Sequence, residues 1–91
     1  MTTLHILNKP PHHPRFEGCL EALGSDDVLL LMESAVLAVS VSGLLPTGRV
    51  CALKADLEAR GLSEATCGGI AIIDYDRMVG LTVESARIIH W

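Results

Sequence analysis

Four short apolar runs, separated by segments with helix signals, constrain the fold of this chain more than any other feature. The runs occupy residues 3–7, 27–32, 49–54 and 69–74. Their length and composition are typical of strands, and continuous apolar strands are typical of parallel sheets. Parallel neighbours need crossover connections, which the intervening helical segments supply. The pattern predicts an α/β fold: a small parallel-rich sheet with helices on both faces, of a flavodoxin-like or Rossmann-like kind.

The first two helical segments differ in character. Pro14 suits the first position of a helix that runs to about Leu23, and Gly24 is expected to cap its carboxyl end. Residues 33–41 are apolar almost all round a helical wheel. Such a helix must be covered on most sides, so we expect additional cover for its outer surface.

The second half of the chain contains weaker sequence signals for helices and strands. A short helix is predicted over residues 55–60, ended by Gly61, with Asp56 and Arg60 spaced to form an ion pair. A last helix is predicted from residue 76 to about residue 85, with Asp74 or Asp76 as its amino-terminal cap. The final five residues are expected to form a brief edge strand.

The size of the chain predicts one domain, residues 1–91. Hydrophobic residues make up 49% of it and aromatic residues only 3%, so the core must consist mainly of Leu, Val, Ile and Ala. A chain of this length that folds alone buries only about 60–65% of its unfolded surface. A protein this short and apolar is expected to have a protein partner.

Charge and hydropathy exclude several classes of partner. The formal net charge is −4 and the basic residues are scattered, which disfavours direct binding of nucleic acid. Residues 28–45 approach the length of a membrane span, but Glu33 within them would cost about 2.5–3.5 kcal/mol at the bilayer centre. Two elements of a soluble protein explain that stretch better. The amino-terminal residues lack the pattern of a signal peptide, so a cytoplasmic location is expected.

The cysteines are the candidates for reactive chemistry. Three widely spaced cysteines predict thiols rather than a disulfide framework or a paired metal site. Cys19 lies on the flank of the apolar stripe of the first helix, where Arg15 could favour its thiolate; a partly buried packing role is the alternative. Cys51 is expected in the core and Cys67 in an exposed loop.

Other candidate sites are disfavoured. The loop at residues 8–14 contains three prolines and no glycine, so it does not offer the backbone N–H groups that hold a dinucleotide. His12 and His13 are adjacent, and adjacent side chains diverge rather than share a metal. No metal or organic cofactor is predicted. His5 is expected either to hydrogen-bond at the edge of the sheet or to face a partner.

The order of motifs resembles that of a known family. The segments LHILNKPP, CLEALGSDDVLLLMESAVLAV, VCALKADLEARGLS and IDYDRMVGLTVES, followed by Trp91, are similar to the DsrH/TusB family of sulfur-relay proteins over essentially the whole chain. ALKADLEARGL, residues 52–62, is the most specific of these stretches. No single motif is catalytic, so the resemblance depends on their order and spacing.

The resemblance implies a DsrE/DsrF-like fold and a cytoplasmic heterohexamer with TusD- and TusC-like subunits, in which sulfur travels as a cysteine persulfide. The TusB branch serves 2-thiolation of the wobble uridine of tRNA, receiving sulfur from a small carrier protein; the DsrH branch serves sulfur oxidation. Cys19 occupies the position of the first-helix cysteine of DsrH-type members, which makes it a possible persulfide acceptor. The competing class is a small homo-oligomeric ligand-binding module.

Overall fold

Strands and helices alternate in the computed structural model, which describes residues 2–41, 43–46, 48–63 and 67–91. The elements are β1 (Thr3–Leu7), α1 (Pro14–Ala22), β2 (Val28–Leu31), a 3₁₀ helix (Glu33–Ser40), β3 (Val50–Leu53), α2 (Lys54–Ala59), β4 (Ala71–Ile73), α3 (Tyr75–Glu84) and β5 (Arg87–His90). Every strand predicted from the sequence is present, and each strand end lies within two residues of the predicted one.

The five strands form one sheet in the order β4-β3-β2-β1-β5, and every pair is parallel. The chain moves outward from β1 to β4 and then returns to place β5 on the free side of β1. Because such crossovers are right-handed, this reversal puts α3 on the opposite face from the other helices. The parallel sheet with helices on both faces confirms the predicted fold class.

The face that carries α1, the 3₁₀ helix and α2 holds the larger core. Phe16 and Cys19 project into it from α1, and Leu57 projects from α2. The buried members of this core are Leu7, Phe16, Cys19, Leu29, Leu31, Ala35, Val36, Ala38, Val39, Val50, Ala52, Leu57 and Cys67. Three of the described helical elements therefore pack on this face of the sheet.

The 3₁₀ helix packs most of its apolar residues into the core of the chain itself. It turns Ala35, Val36, Ala38 and Val39 into the core and leaves Leu37 39% exposed. Most of its apolar surface is therefore covered by the chain itself. Residues 28–45 contain β2 and this helix, and no helix among the described residues is long and apolar enough to cross a membrane.

The opposite face is thinly covered. Leu4, Leu30 and Cys51 are the buried residues of its core cluster. Met78 and Leu81 pack on them from α3, yet no residue of α3 is itself buried. One helix of ten residues is too narrow to cover five strands.

Two local predictions near α1 and α2 were wrong. Gly24 does not have the left-handed conformation of a helix cap; its N–H donates to Asp27 Oδ2 at 2.9 Å. Asp56 does not pair with Arg60, because Asp56 Oδ2 accepts the N–H of Glu33 at 2.7 Å. In both cases a carboxylate accepts a hydrogen bond from a backbone N–H, because backbone donors that are removed from water need an acceptor.

Candidate functional site

Cys19, the predicted persulfide acceptor, lies in the interior of the protein. Its side chain is 0% exposed and belongs to the same core as Phe16 and Leu7. Burial raises the pKa of its thiol to about 12, since desolvation penalises the thiolate. Arg15, one turn earlier on α1, is exposed to solvent. The flank position expected from the helical wheel is thus a fully buried one, because α1 packs closely on the sheet.

We expect native Cys19 to react with iodoacetamide at pH 8 at least 100-fold more slowly than after unfolding in urea. The thiolate is the nucleophile, and a pKa rise from 9.0 to about 12 lowers its population about 1,000-fold. Peptide mapping by mass spectrometry after timed alkylation measures the rate at this cysteine. Equal rates in the two states would show that α1 opens readily and exposes the thiol.

The other two cysteines are also buried. Cys51 on β3 is 5% exposed, as predicted, and desolvation raises its pKa to about 11, with Arg77 opposing the rise. The prediction that Cys67 is exposed was wrong: it is 3% exposed, and its Sγ–H donates to the carbonyl of Ser63 at 3.4 Å. Gly68, which follows it, has the left-handed conformation that glycine favours, with φ 59°. None of the three thiols is open to solvent.

A polar network joins three distant parts of the chain around His5, which is only 1% exposed. Trp91 Nε1–H donates to His5 Nδ1 at 3.1 Å, so Nδ1 must be the unprotonated nitrogen. Nε2 therefore carries the proton and donates it to Asp27 Oδ2 at 2.8 Å. Both ring nitrogens are therefore hydrogen-bonded within the protein, which gives this histidine a structural role.

The network also anchors the segment that follows β5. The backbone N–H of Trp91 donates to the carbonyl of Ile6 at 2.9 Å, and Lys9 Nζ donates to the carbonyl of Trp91 at 3.0 Å. The indole packs on the larger core, 3.7 Å from the position a Cβ would take at Gly18. The sequence did not indicate the bond between Asp27 and His5, because the two residues lie 22 positions apart.

Acid should weaken the fold through Asp27. The N–H of Gly24 and the imidazole of His5 hold the pKa of its carboxyl below the ordinary 3.8. The carboxylate therefore stabilises the folded state fully above about pH 5, and this contribution is lost as the pH falls through 3.8 and then through the lower folded value. In urea unfolding between pH 5 and pH 3, the native chain should lose more stability than Asp27→Asn. Parallel pH profiles would contradict this assignment.

The described residues contain no cluster of histidine, cysteine and acidic side chains that could hold a metal ion. His13 has a local role instead: its Nδ1 accepts the N–H of Arg15 at 3.1 Å and caps α1. Asp74 caps α3 in the same way, accepting the N–H of Arg77 at 2.8 Å. The geometry thus contains buried thiols and structural polar contacts, with no assembled catalytic group among the described residues.

Comparison with known proteins identifies relatives that match almost the whole chain. Proteins named TusB are 32% identical in Pectobacterium parmentieri, 35% in Enterobacter sp. strain 638 and 36% in Escherichia coli, and each match covers 97% of this chain and 99% of the relative. Protein Tm0979 from Thermotoga maritima, known from a solution NMR structure, has the same fold: the TM-score is 0.71 over 89% of this chain and 91% of that protein, at 23% identity.

The sequence model of the DsrH-like protein family matches residues 9–88. That span extends from the loop after β1 to the middle of β5, so it includes all the described helices and strands β2, β3 and β4. Together with the TusB relatives, this match establishes the family of the chain. This chain belongs to the DsrH-like family of sulfur-relay proteins.

Proposed function

We propose that this chain is a subunit of a cytoplasmic persulfide relay that serves 2-thiolation of the wobble uridine of tRNA. It works in a heterohexamer with TusD- and TusC-like α/β subunits, and a small sulfur-carrier protein delivers sulfur to that complex. The observation that carries the proposal is the match to proteins named TusB along 97% of the chain. The acidic net charge of −4 fits a subunit that leaves tRNA binding to another protein.

The burial of all three thiols supports an accessory role. A persulfide acceptor must present a thiolate to the incoming sulfur, and Cys19 and Cys51 have pKa values raised to about 12 and about 11. The chain then contributes structure and contact surface to the relay, while the reactive cysteine belongs to a sister subunit. No metal or organic cofactor enters this proposal.

The acceptor role of Cys19 stays a prediction with a defined chemistry. Its thiolate would attack the outer sulfur of a donor persulfide, forming a new S–S bond and releasing the donor as a thiolate; the outer sulfur would later pass to another thiol. In the conformation described, this step requires α1 to move away from the sheet. Burial at 0% exposure favours the packing role over the acceptor role.

The test is deletion of the gene in the native host, followed by mass spectrometry of tRNA nucleosides. The proposal expects loss of 2-thiouridine derivatives at the wobble position and recovery with the native gene. Cys19→Ala should restore thiolation, since alanine removes the thiol without burying a hydroxyl group. Cys19→Ser is a poor control, because an unsatisfied buried hydroxyl costs about 1–3 kcal/mol.

A second candidate is a subunit for sulfur oxidation, favoured by the presence of Cys19 on the first helix and by the family model itself. Unchanged tRNA thiolation in the deletion strain, with impaired growth on reduced sulfur compounds, would select it. Purification from the native host tests both candidates against a homo-oligomeric ligand-binding module. Both relay functions expect two similar-sized α/β subunits to co-purify, whereas a lone homo-oligomer would reject them.

A further inference from the structure

The two flanks of α3 differ in chemistry. With a rotation of 100° per residue, Tyr75, Val79 and Val83 follow one flank of the helix. They are 54%, 55% and 79% exposed. The opposite flank carries Arg77, which pairs with Glu84 at 3.2 Å. An exposed apolar stripe beside a charged flank is typical of a helix that meets another protein on its apolar side.

The apolar stripe borders a groove, which we call the α3 groove. It lies between α3 and the carboxyl-terminal parts of β1, β2 and the edge strand β5, with a volume of about 340 Å³. Ile6, Met32, Met78 and Ile88 form its walls, and Glu33 and His90 lie at its rim. Ile88 is 38% exposed even though it is flanked by these apolar neighbours. Met78 and Thr82, which line the groove, are the sequence neighbours of Val79 and Val83 in the stripe, so the groove and the stripe adjoin on the thinly covered face of the sheet.

Glu33 gives this surface a charge. Its backbone has a φ of 49°, unfavourable for a residue with a side chain, and its N–H is held by Asp56 Oδ2. Its own carboxylate has no ion-pair partner among the described residues. The strained backbone thus places an unpaired negative charge at the edge of an apolar groove, where a cation next to an apolar side chain would complement both.

We propose that the α3 groove and the adjoining stripe dock a sister α/β subunit, which inserts an apolar side chain next to a Lys or Arg that pairs with Glu33. The inference rests on the proposed function, which supplies the sister subunits. Tyr75, Val79, Val83 and Ile88 together expose on the order of 400 Å², about half of the roughly 800 Å² that each partner buries in a standard interface. The half-buried groove walls and the rim add to this area. A second copy of this chain fits less well, because it would bring another net charge of −4.

Ile88→Lys is the main test, because it places a charge within the α3 groove. Leu37→Lys is its matched control: Leu37 is 39% exposed, but it lies on the 3₁₀ helix that covers the other face of the sheet. The chain and its two sister subunits are co-expressed, and the complex is quantified by native mass spectrometry and by titration of the purified chain. We expect at least a tenfold weaker affinity for Ile88→Lys and less than a twofold change for Leu37→Lys.

Glu33→Lys is the second variant, because it tests the charge separately from the apolar contact. It should weaken assembly at least tenfold, more so at low salt. Circular dichroism melting curves must show that each variant is folded before its affinity is compared. If the circular dichroism of Ile88→Lys shows that this variant is unfolded, Val79→Lys replaces it, because Val79 is exposed on α3.

The outcomes separate this inference from the proposed function. If the native chain binds no sister subunit, the proposed function is rejected, and so is the sister subunit as the docking partner. Native assembly that Ile88→Lys leaves intact overturns the docking surface alone, as does greater weakening by Leu37→Lys. A homodimer of the native chain that Ile88→Lys disrupts would identify a second copy as the occupant and overturn the partner proposed here.

Discussion

Replacing Phe16 by alanine is expected to lower the free energy of unfolding by about 3–5 kcal/mol. Phe16 is 1% exposed and is the largest fully buried side chain among the described residues. A chain of this length has a total stability of about 5–14 kcal/mol, so the loss would bring it close to the unfolding threshold. Urea denaturation followed by circular dichroism measures the effect.

Val83→Ala is the control for this substitution. It also shortens an apolar side chain, but Val83 is 79% exposed, so its unfolding free energy should change by no more than about 0.5 kcal/mol. A similar loss of unfolding free energy for the two substitutions would mean that α1 does not pack on the sheet as described. The burial of Cys19, which depends on that packing, would then also be wrong.

Trp91→Ala should lower the free energy of unfolding by about 2–5 kcal/mol, the second largest effect expected. The substitution empties the space beside Gly18 and leaves Nδ1 of buried His5 without a donor. Trp91→Phe retains most of the ring and isolates the second effect, for which about 1–3 kcal/mol is expected. Circular dichroism is the appropriate signal, because both variants lack the only tryptophan.

A double-mutant cycle provides the control. When His5→Leu has already removed the acceptor, Trp91→Phe should cost less than it does in the native chain, and the coupling energy should be about 0.5–3 kcal/mol. Strict additivity would show that the indole N–H contributes nothing through His5. The network would then be an incidental contact rather than the link between β1 and the segment after β5.

The sequence predicted those features that depend on neighbouring residues. The apolar run at residues 27–32 indicated a buried parallel strand, and β2 occupies Val28–Leu31. Pro14 begins α1, and Gly61, at φ 69°, ends α2 as predicted. In each case the signal lies within a few residues of the structure it specifies, because strand preference and helix termination are set by local backbone conformation.

The candidate site was less predictable, because the positions of its side chains depend on residues that are distant in the sequence. The helical wheel indicated that Cys19 was near the apolar stripe, but its full burial depends on how closely α1 approaches the sheet. Cys67 was predicted in an exposed loop, whereas it is 3% exposed and belongs to the larger core. Local sequence specifies that a chain turns; the packing around the turn specifies where its side chains point.

The sequence by itself determined the class of fold, the positions of the strands and, through the order of its motifs, the family. Only the tertiary structure decided which residues meet across the sheet: His5 with Asp27 and Trp91, and Glu33 with Asp56. It also decided that, among the described helices, only α3 packs on the second face, where it borders the α3 groove. These contacts join residues 22 to 86 positions apart, and such pairs form only after strand order and crossover direction are set.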